Sequence, residues 1–214
     1  MPLAPRPTPL AIRRVAHWPD LAQKPDLSFV PPLQRRRLSR LQAIAFHLAH
    51  ALTADLPPTL TEHLPIIFAS RTGEDTLSRR IVADFHATGE VSPARFSTSV
   101  YNAAPGLYSI FAHNTAPYTA IAAGADTPAC SLLEALMASG PRLWILADEP
   151  GTPDAYAMGA LLDDTPAPDD ALHALVLPST PTPTEPITAA DLCAFFLGQS
   201  QCLRAHAFTL CRTR

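Results

Sequence analysis

Between residues 39 and 54 the apolar positions Leu41, Ile44, Ala45, Leu48 and Leu52 recur every three or four residues. That spacing predicts a helix with one buried stripe, and Ser39 stands where an N-cap belongs. The pattern changes at residues 65–70, where Pro-Ile-Ile-Phe-Ala-Ser is a short continuous apolar run suited to a buried strand. Arg71-Thr72-Gly73-Glu74 then turns the chain into a predicted helix capped near Asp75 and stopped at Gly89. Leu77, Ile81 and Phe85 fall on one face of it. Another helix is expected from Asn102, carrying Leu107, Ile110 and Phe111, with Pro105 in the first turn, where proline is tolerated.

Tyr118-Thr119-Ala120-Ile121-Ala122-Ala123 reads as a strand of mostly small residues that ends at Gly124. Asp126 or Thr127 can cap the next helix, with Pro128 near its first position and Gly140-Pro141 at its end. From Ala129 to Ala138 this helix is apolar nearly all round, the signature of a helix buried between layers. Residues 143–147 and 172–177 predict two further strands, and Thr188 can cap a last helix through Leu192, Phe195 and Phe196. Short buried strands alternating with helices predict a layered α/β domain with helices on both sides of a sheet.

Composition narrows the picture. A chain of 214 residues, 47% hydrophobic, fits one domain with tails and a real core. Its net charge of −3 gives no general attraction to nucleic acid or an anionic membrane. No apolar stretch approaches a bilayer span, and residues 1–10, with four prolines, lack the apolar run of a secretory signal. A cytoplasmic protein is therefore expected. Residues 1–10 read as a flexible tail and residues 178–186 as an extended, proline-rich segment. The four cysteines, Cys130, Cys193, Cys202 and Cys211, follow no C-x-x-C spacing, and are expected as reduced thiols instead of a zinc site or disulfide framework.

Candidate chemistry is sparse. There is no dinucleotide fingerprint, phosphate-binding loop, nucleophile elbow of the G-x-S-x-G type or H-E-x-x-H motif. Asp148-Glu149 and Asp163-Asp164 are adjacent acidic pairs that read as solvated turn residues, and no metal or cofactor is expected. Arg35-Arg36-Arg37, with Arg40 one turn on, is either a solvated helix start or a docking patch for an acidic partner.

One ordered series of short matches carries a resemblance. Ser99-Val100-Tyr101-Asn102-Ala103-Ala104-Pro105-Gly106, Thr119-Ala120-Ile121-Ala122-Ala123-Gly124 and Leu132-Leu133-Glu134-Ala135-Leu136 resemble the β-ketoacyl synthase-like N-terminal domain. More narrowly they resemble the short chain-length-factor-like proteins of aryl-polyene and related type II fatty-acid-like pathways. Phe68-Ala69-Ser70-Arg71, Gly73-Glu74 and Asp148-Glu149-Pro150 fit the same pattern. The resemblance covers residues 11–178 and leaves 179–214 as an extension with a short helix. It implies the N-terminal half of a thiolase-type fold, with a mixed sheet and a buried central helix.

In active members a strand like 118–123 leads into a nucleophilic cysteine at the tip of a helix. There the helix N-terminus favours a thiolate. The resemblance puts Gly124 at that position, and the family's two catalytic histidines belong to a C-terminal half that this chain is too short to contain. The implied role is a non-catalytic subunit that pairs with a full-length β-ketoacyl synthase through Asn102 and Tyr118, Thr119, Ala120, Ile121, Ala122 and Ala123, and works with an acyl carrier protein. Two other readings stay open. Cys130, near the start of the same helix, could serve a small acyltransferase or thioesterase, with His113 as an imaginable base. Arg35, Arg36, Arg37 and Arg40 could make the chain a stand-alone carrier-protein binding module.

Overall fold

The computed structural model describes residues 8–18, 20–152, 155–165, 172–178, 185–205 and 208–212. It begins with strand β1 (Thr8–His17). The end of the expected flexible tail is therefore ordered sheet: Leu10 is buried, and Thr8, Pro9 and Leu10 pair with a single neighbouring strand. A proline is acceptable there because its missing N–H can face the unpaired side. The single turn α1 (Pro32–Arg35) precedes α2 (Arg40–Thr53), the predicted stripe. The N-terminus of α2 is closed by a capping box: Ser39 Oγ accepts from the Gln42 amide, and the Gln42 side chain accepts from the Ser39 amide.

After the short α3 (Pro58–Thr61) comes β2 (Ile66–Ala69), buried at every residue. α4 (Asp75–Thr88) ends where expected, at Gly89 with φ +75°, the left-handed conformation that glycine adopts freely. α5 (Pro93–Phe96) and α6 (Ala103–Phe111) lead to β3 (Tyr118–Ile121). A 3₁₀ turn at Gly124–Asp126 opens α7 (Thr127–Met137), followed by β4 (Arg142–Ala147) and β5 (Ala157–Asp163). The described residues end with β6 (Leu172–Pro178), α8 (Ala189–Phe196), β7 (Cys202–Arg204) and β8 (Phe208–Arg212). The stretch after residue 178, expected to carry one short helix, thus also supplies two strands. Residues 1–7 of the expected tail and 179–184 of the proline-rich segment lie outside the described residues.

All strands join one mixed sheet in the order β3-β2-β4-β5-β1-β6-β8-β7. β3, β2 and β4 run parallel, and every other pairing is antiparallel. Alternation along the central strands feeds two cores. Ile67, Ala69, Trp144, Leu146, Met158 and Ala160 face one side, where they meet Leu132 and Ala135 of α7 and Leu192 and Phe195 of α8. Ile66, Phe68, Leu143, Ile145 and Leu161 face the other, against Ile44, Leu48 and Leu52 of α2 and Tyr108 of α6. Helices on both faces explain why β2, and β4 and β5 except for Arg142 and Asp163 at their ends, are apolar. Gly159 in β5 marks the closest approach, since a Cβ there would stand 3.0 Å from Leu52 Cδ1 and from the Trp144 carbonyl.

Two expectations about helices change. α4 has no fully buried residue: on its expected apolar face Leu77 and Ile81 are half-buried and Phe85 is 50% exposed, and the neighbouring Val82 is 55% exposed. α7 is buried on one side only: Ser131, Leu132 and Ala135 pack inward, while Met137 is 77% exposed. The helix is expected to be enclosed between layers because it is apolar all round, but among the described residues no layer covers its outer face.

Candidate functional site

The parallel strands β2, β3 and β4 end on one side of the sheet, the side where open α/β sheets place their sites. Three connections meet there: residues 70–74 after β2, 122–126 after β3 and 148–151 after β4. The second is a strand-to-helix elbow. Thr127, fully buried, accepts from the Ala123 amide and donates to the Gly124 carbonyl, each at 2.8 Å, and so fixes the corner. Gly124 has φ +57°, and a Cβ there would meet nothing within 4 Å. The backbone conformation favours glycine, although the space would admit a side chain. A residue without a side chain offers no nucleophile at this corner.

Cys130 lies in the first turn of α7 and is exposed. His113 does not stand beside it. It follows α6, at φ +53°, and precedes β3, so the strand separates it from the elbow.

The first and third connections are bound together by buried polar groups, to which the sequence reading gave no site role. Asp148 accepts from Ser70 Oγ (3.1 Å), the Arg71 amide (2.8 Å) and Arg71 Nε (2.9 Å). Glu149 Oε2 accepts from the Thr76 amide and hydroxyl, at 2.9 and 2.7 Å, and so sits at the N-terminus of α4, where the helix dipole favours an anion. Glu74 is 3% exposed and accepts from Ser39 Oγ and Gln42 Nε2. Burial pushes its carboxyl up to about 7, the Glu149 charge adds to the rise, and the two hydrogen bonds oppose it.

These groups correct the reading of the acidic pairs as solvated turns. Asp148 and Glu149 are 2% and 5% exposed, and Asp163 is buried against Arg13 at 2.6 Å. Asp164 accepts from the Gly140 amide. The available signal was positional: Ser-Arg-x-Gly-Glu and Asp-Glu-Pro each follow a buried apolar run, which puts both acidic stretches at one edge of a parallel sheet. Among the described residues no group of three or more His, Cys, Asp or Glu side chains could hold a metal ion.

A cavity of about 540 Å³ opens beside the elbow, with Arg71, Ala125, Pro128, Asp148, Tyr156 and Ile187 among its lining residues. It lies between the start of α7 and the residues that lead into α8.

The residues expected to meet a partner fall on a free edge. Among the described residues β3 is the first strand of the sheet and is bonded to β2 alone. Ile66 donates to the Pro117 carbonyl and Ser70 to the Ile121 carbonyl. The odd-numbered residues therefore face β2, and Tyr118 and Ala120 turn their amide and carbonyl groups outward. Tyr118, Thr119, Ala122 and Ala123 are exposed, and Ala120 and Ile121 half-buried. Asn102 is the exposed N-cap of α6, without a side-chain capping bond, and Ile110 on the same helix is 73% exposed.

The arginine cluster divides. Arg35, Arg36 and Arg37 are exposed, whereas Arg40 bonds the carbonyls of Leu21 and Gln23. The cysteines divide as well. Cys202 and Cys211, expected as free thiols, form a disulfide across β7 and β8. They are directly opposite in register, with Cα atoms 4.3 Å apart, the close spacing of a non-hydrogen-bonded antiparallel pair. Among the described residues no helix is long and apolar enough to cross a membrane.

Comparison with known proteins agrees with this geometry. The family model described as beta-ketoacyl synthase, N-terminal domain, matches residues 10–182. Among solved structures, the chain is similar to one in the complex of the ketosynthase ApeO with its chain length factor ApeC from Xenorhabdus doucetiae. That match has a TM-score of 0.65 and 20% sequence identity, and covers 91% of this chain and 86% of that one. The two chains are thus of nearly equal length, and at this identity the likeness speaks for the fold. No curated protein matches the sequence. The match over most of its length and the layered α/β fold together place this chain in the β-ketoacyl synthase N-terminal domain family.

Proposed function

We propose that the chain is a non-catalytic, chain-length-factor-like subunit. It pairs with a full-length β-ketoacyl synthase in acyl-chain elongation of the fatty-acid or polyene type, on substrates delivered by an acyl carrier protein. The observation that carries this reading is Gly124, a residue with no side chain at the strand-to-helix elbow where the family places its nucleophile. The unpaired outer edge of β3 and the uncovered face of α7 support a partner on that side. So does the likeness to a chain of similar length in a ketosynthase–chain length factor complex. By bounding the space into which the partner's acyl chain grows, such a subunit would influence product length.

A second reading rests on Cys130, an exposed thiol in the first turn of α7. It makes the chain a small acyltransferase or thioesterase. Intact-protein mass spectrometry after incubation with acyl-carrier and acyl-CoA donors separates the two. The subunit reading expects no acyl adduct on the isolated chain, and a stable adduct on Cys130 would overturn it.

A further inference from the structure

Residues 75–101 leave the body of the domain as an arm. Its longest helix, α4, has no buried residue and packs chiefly on α5 within the same arm. Both roots of the arm return to one fully buried side chain. Gln42 Nε2 donates to Glu74 Oε1 at 2.9 Å, where the arm begins, and to the Thr98 carbonyl at 3.0 Å, where it ends. Ser39 Oγ donates a further bond to Glu74 Oε1 at 2.8 Å. The other carboxyl oxygen, Oε2, is buried and has no hydrogen-bond partner. A carboxylate charge on that oxygen would be unsatisfied, whereas a carboxylic acid carries no such charge.

We propose that Glu74 is a proton-operated latch for this arm: with its carboxyl protonated the arm is held against α2, and loss of the proton releases it.

Burial and the Glu149 charge favour the protonated form of Glu74, and the two hydrogen bonds from α2 oppose it only in part. From the connection after β4, Glu149 brings a second carboxylate, while Asp148 is paired with Arg71. α2 brings the neutral Ser39 and Gln42, and its Arg40 is turned to the carbonyls of Leu21 and Gln23. At the start of the arm Asp75 is paired with Arg79, and near its end Arg95 is paired with Asp84. Two further ties hold the same root: Thr76 donates its amide and hydroxyl to Glu149 at 2.9 and 2.7 Å, and Tyr101 donates to the Arg71 carbonyl at 3.2 Å, so release concerns the arm beyond Thr76. No cation in this set is directed at Glu74.

The sign follows from an acid held at about 7 in the closed state against an ordinary value of 4.5 when released. Below the ordinary value both states are protonated and the latch is tightest. Between the two values opening rises about tenfold per pH unit, and above the upper one it levels off.

Hydrogen exchange on the full chain between about pH 5 and pH 8.5, corrected for the intrinsic pH dependence of exchange, tests this. Amides of residues 77–101 should lose protection by at least tenfold relative to those of α2 and β4 as pH rises to about 7, then change no further. Glu74→Gln keeps an acceptor for Ser39 and Gln42 and cannot ionise, so its arm should stay protected across the range. A wild-type arm whose corrected protection does not change with pH would overturn the proposal. So would a Glu74→Gln arm with the same pH slope as wild type.

Discussion

The indole N–H of Trp144 donates to Ser131 Oγ at 3.1 Å, and both side chains are fully buried. This bond ties α7, the helix that leaves the elbow, to the middle of β4. Ser131 donates in turn to the Pro128 carbonyl in the first turn of α7, so one hydroxyl fixes the helix to the sheet close to the corner. Ser131→Ala would leave the indole N–H buried and unpaired, at a cost of about 1–3 kcal/mol. Urea denaturation should show a lower midpoint with an unchanged slope. A midpoint equal to wild type would mean that the bond contributes nothing net.

Asp148 joins the connections after β2 and β4 through three accepted bonds, and the Arg71 guanidinium opposite it is only partly exposed. Asp148→Asn keeps the shape but removes the charge and one acceptor oxygen. The expected loss is about 3 kcal/mol, toward the lower end of the range for breaking a buried pair, because Arg71 retains some contact with water. A thermal-denaturation series with Arg71→Met and the double variant would isolate the pair. Additive losses would contradict the coupling.

Thiol labelling tests the cysteine assignment. In native protein an alkylating reagent should modify Cys130 alone, since Cys193 is buried and Cys202 is bonded to Cys211. Denaturation without reductant should expose one more thiol, and reduction the last two. The closed loop between Cys202 and Cys211 is short, so Cys211→Ser should lower stability by about 2–3 kcal/mol. Four reactive thiols in denatured, unreduced protein would show that no disulfide forms.

The elements most legible in the sequence were those whose signal is local. Ser39 and Thr188 both make full capping boxes, and Gly89 ends its helix with positive φ. The missed strands lack such signals. β1 contains Pro9 and consecutive arginines, and is a central strand through its ladders to β5 and β6 and its buried Leu10, Ala11 and Ile12, with Arg13 paired to Asp163 and Arg14 to Asp55. β5 carries Gly159 at its centre, a residue that weakens a strand signal, and the structure uses it for close approach to α2. Register determines the rest. Nothing in the spacing of Cys202 and Cys211 states that they lie opposite one another, and no local pattern reveals that Glu74 is enclosed by Ser39 and Gln42, more than 30 residues away.

The proposed docking patch for an acidic carrier protein narrows to three arginines, since Arg40 already bonds carbonyls of its own chain. Replacing Arg35, Arg36 and Arg37 by Glu should weaken carrier association and flatten its salt dependence, read by titration at low and at physiological ionic strength. Carrier binding unchanged at low salt would make the cluster a solvated helix start.

The pairing claim is tested most directly by size-exclusion chromatography of the chain co-expressed with a full-length β-ketoacyl synthase from the same source. β3 offers an outward row of backbone groups at Tyr118 and Ala120, next to an incompletely covered α7. An apolar edge of this kind calls for a partner strand. The account predicts a stable one-to-one complex, and self-association or poor solubility of the chain alone. It also predicts that Ala120→Pro, which removes an outward N–H and leaves the bonds to β2 in place, disrupts the complex far more than the fold. A wild-type chain that elutes as a well-behaved monomer apart from the synthase, or an Ala120→Pro complex as stable as the wild-type one, would contradict it.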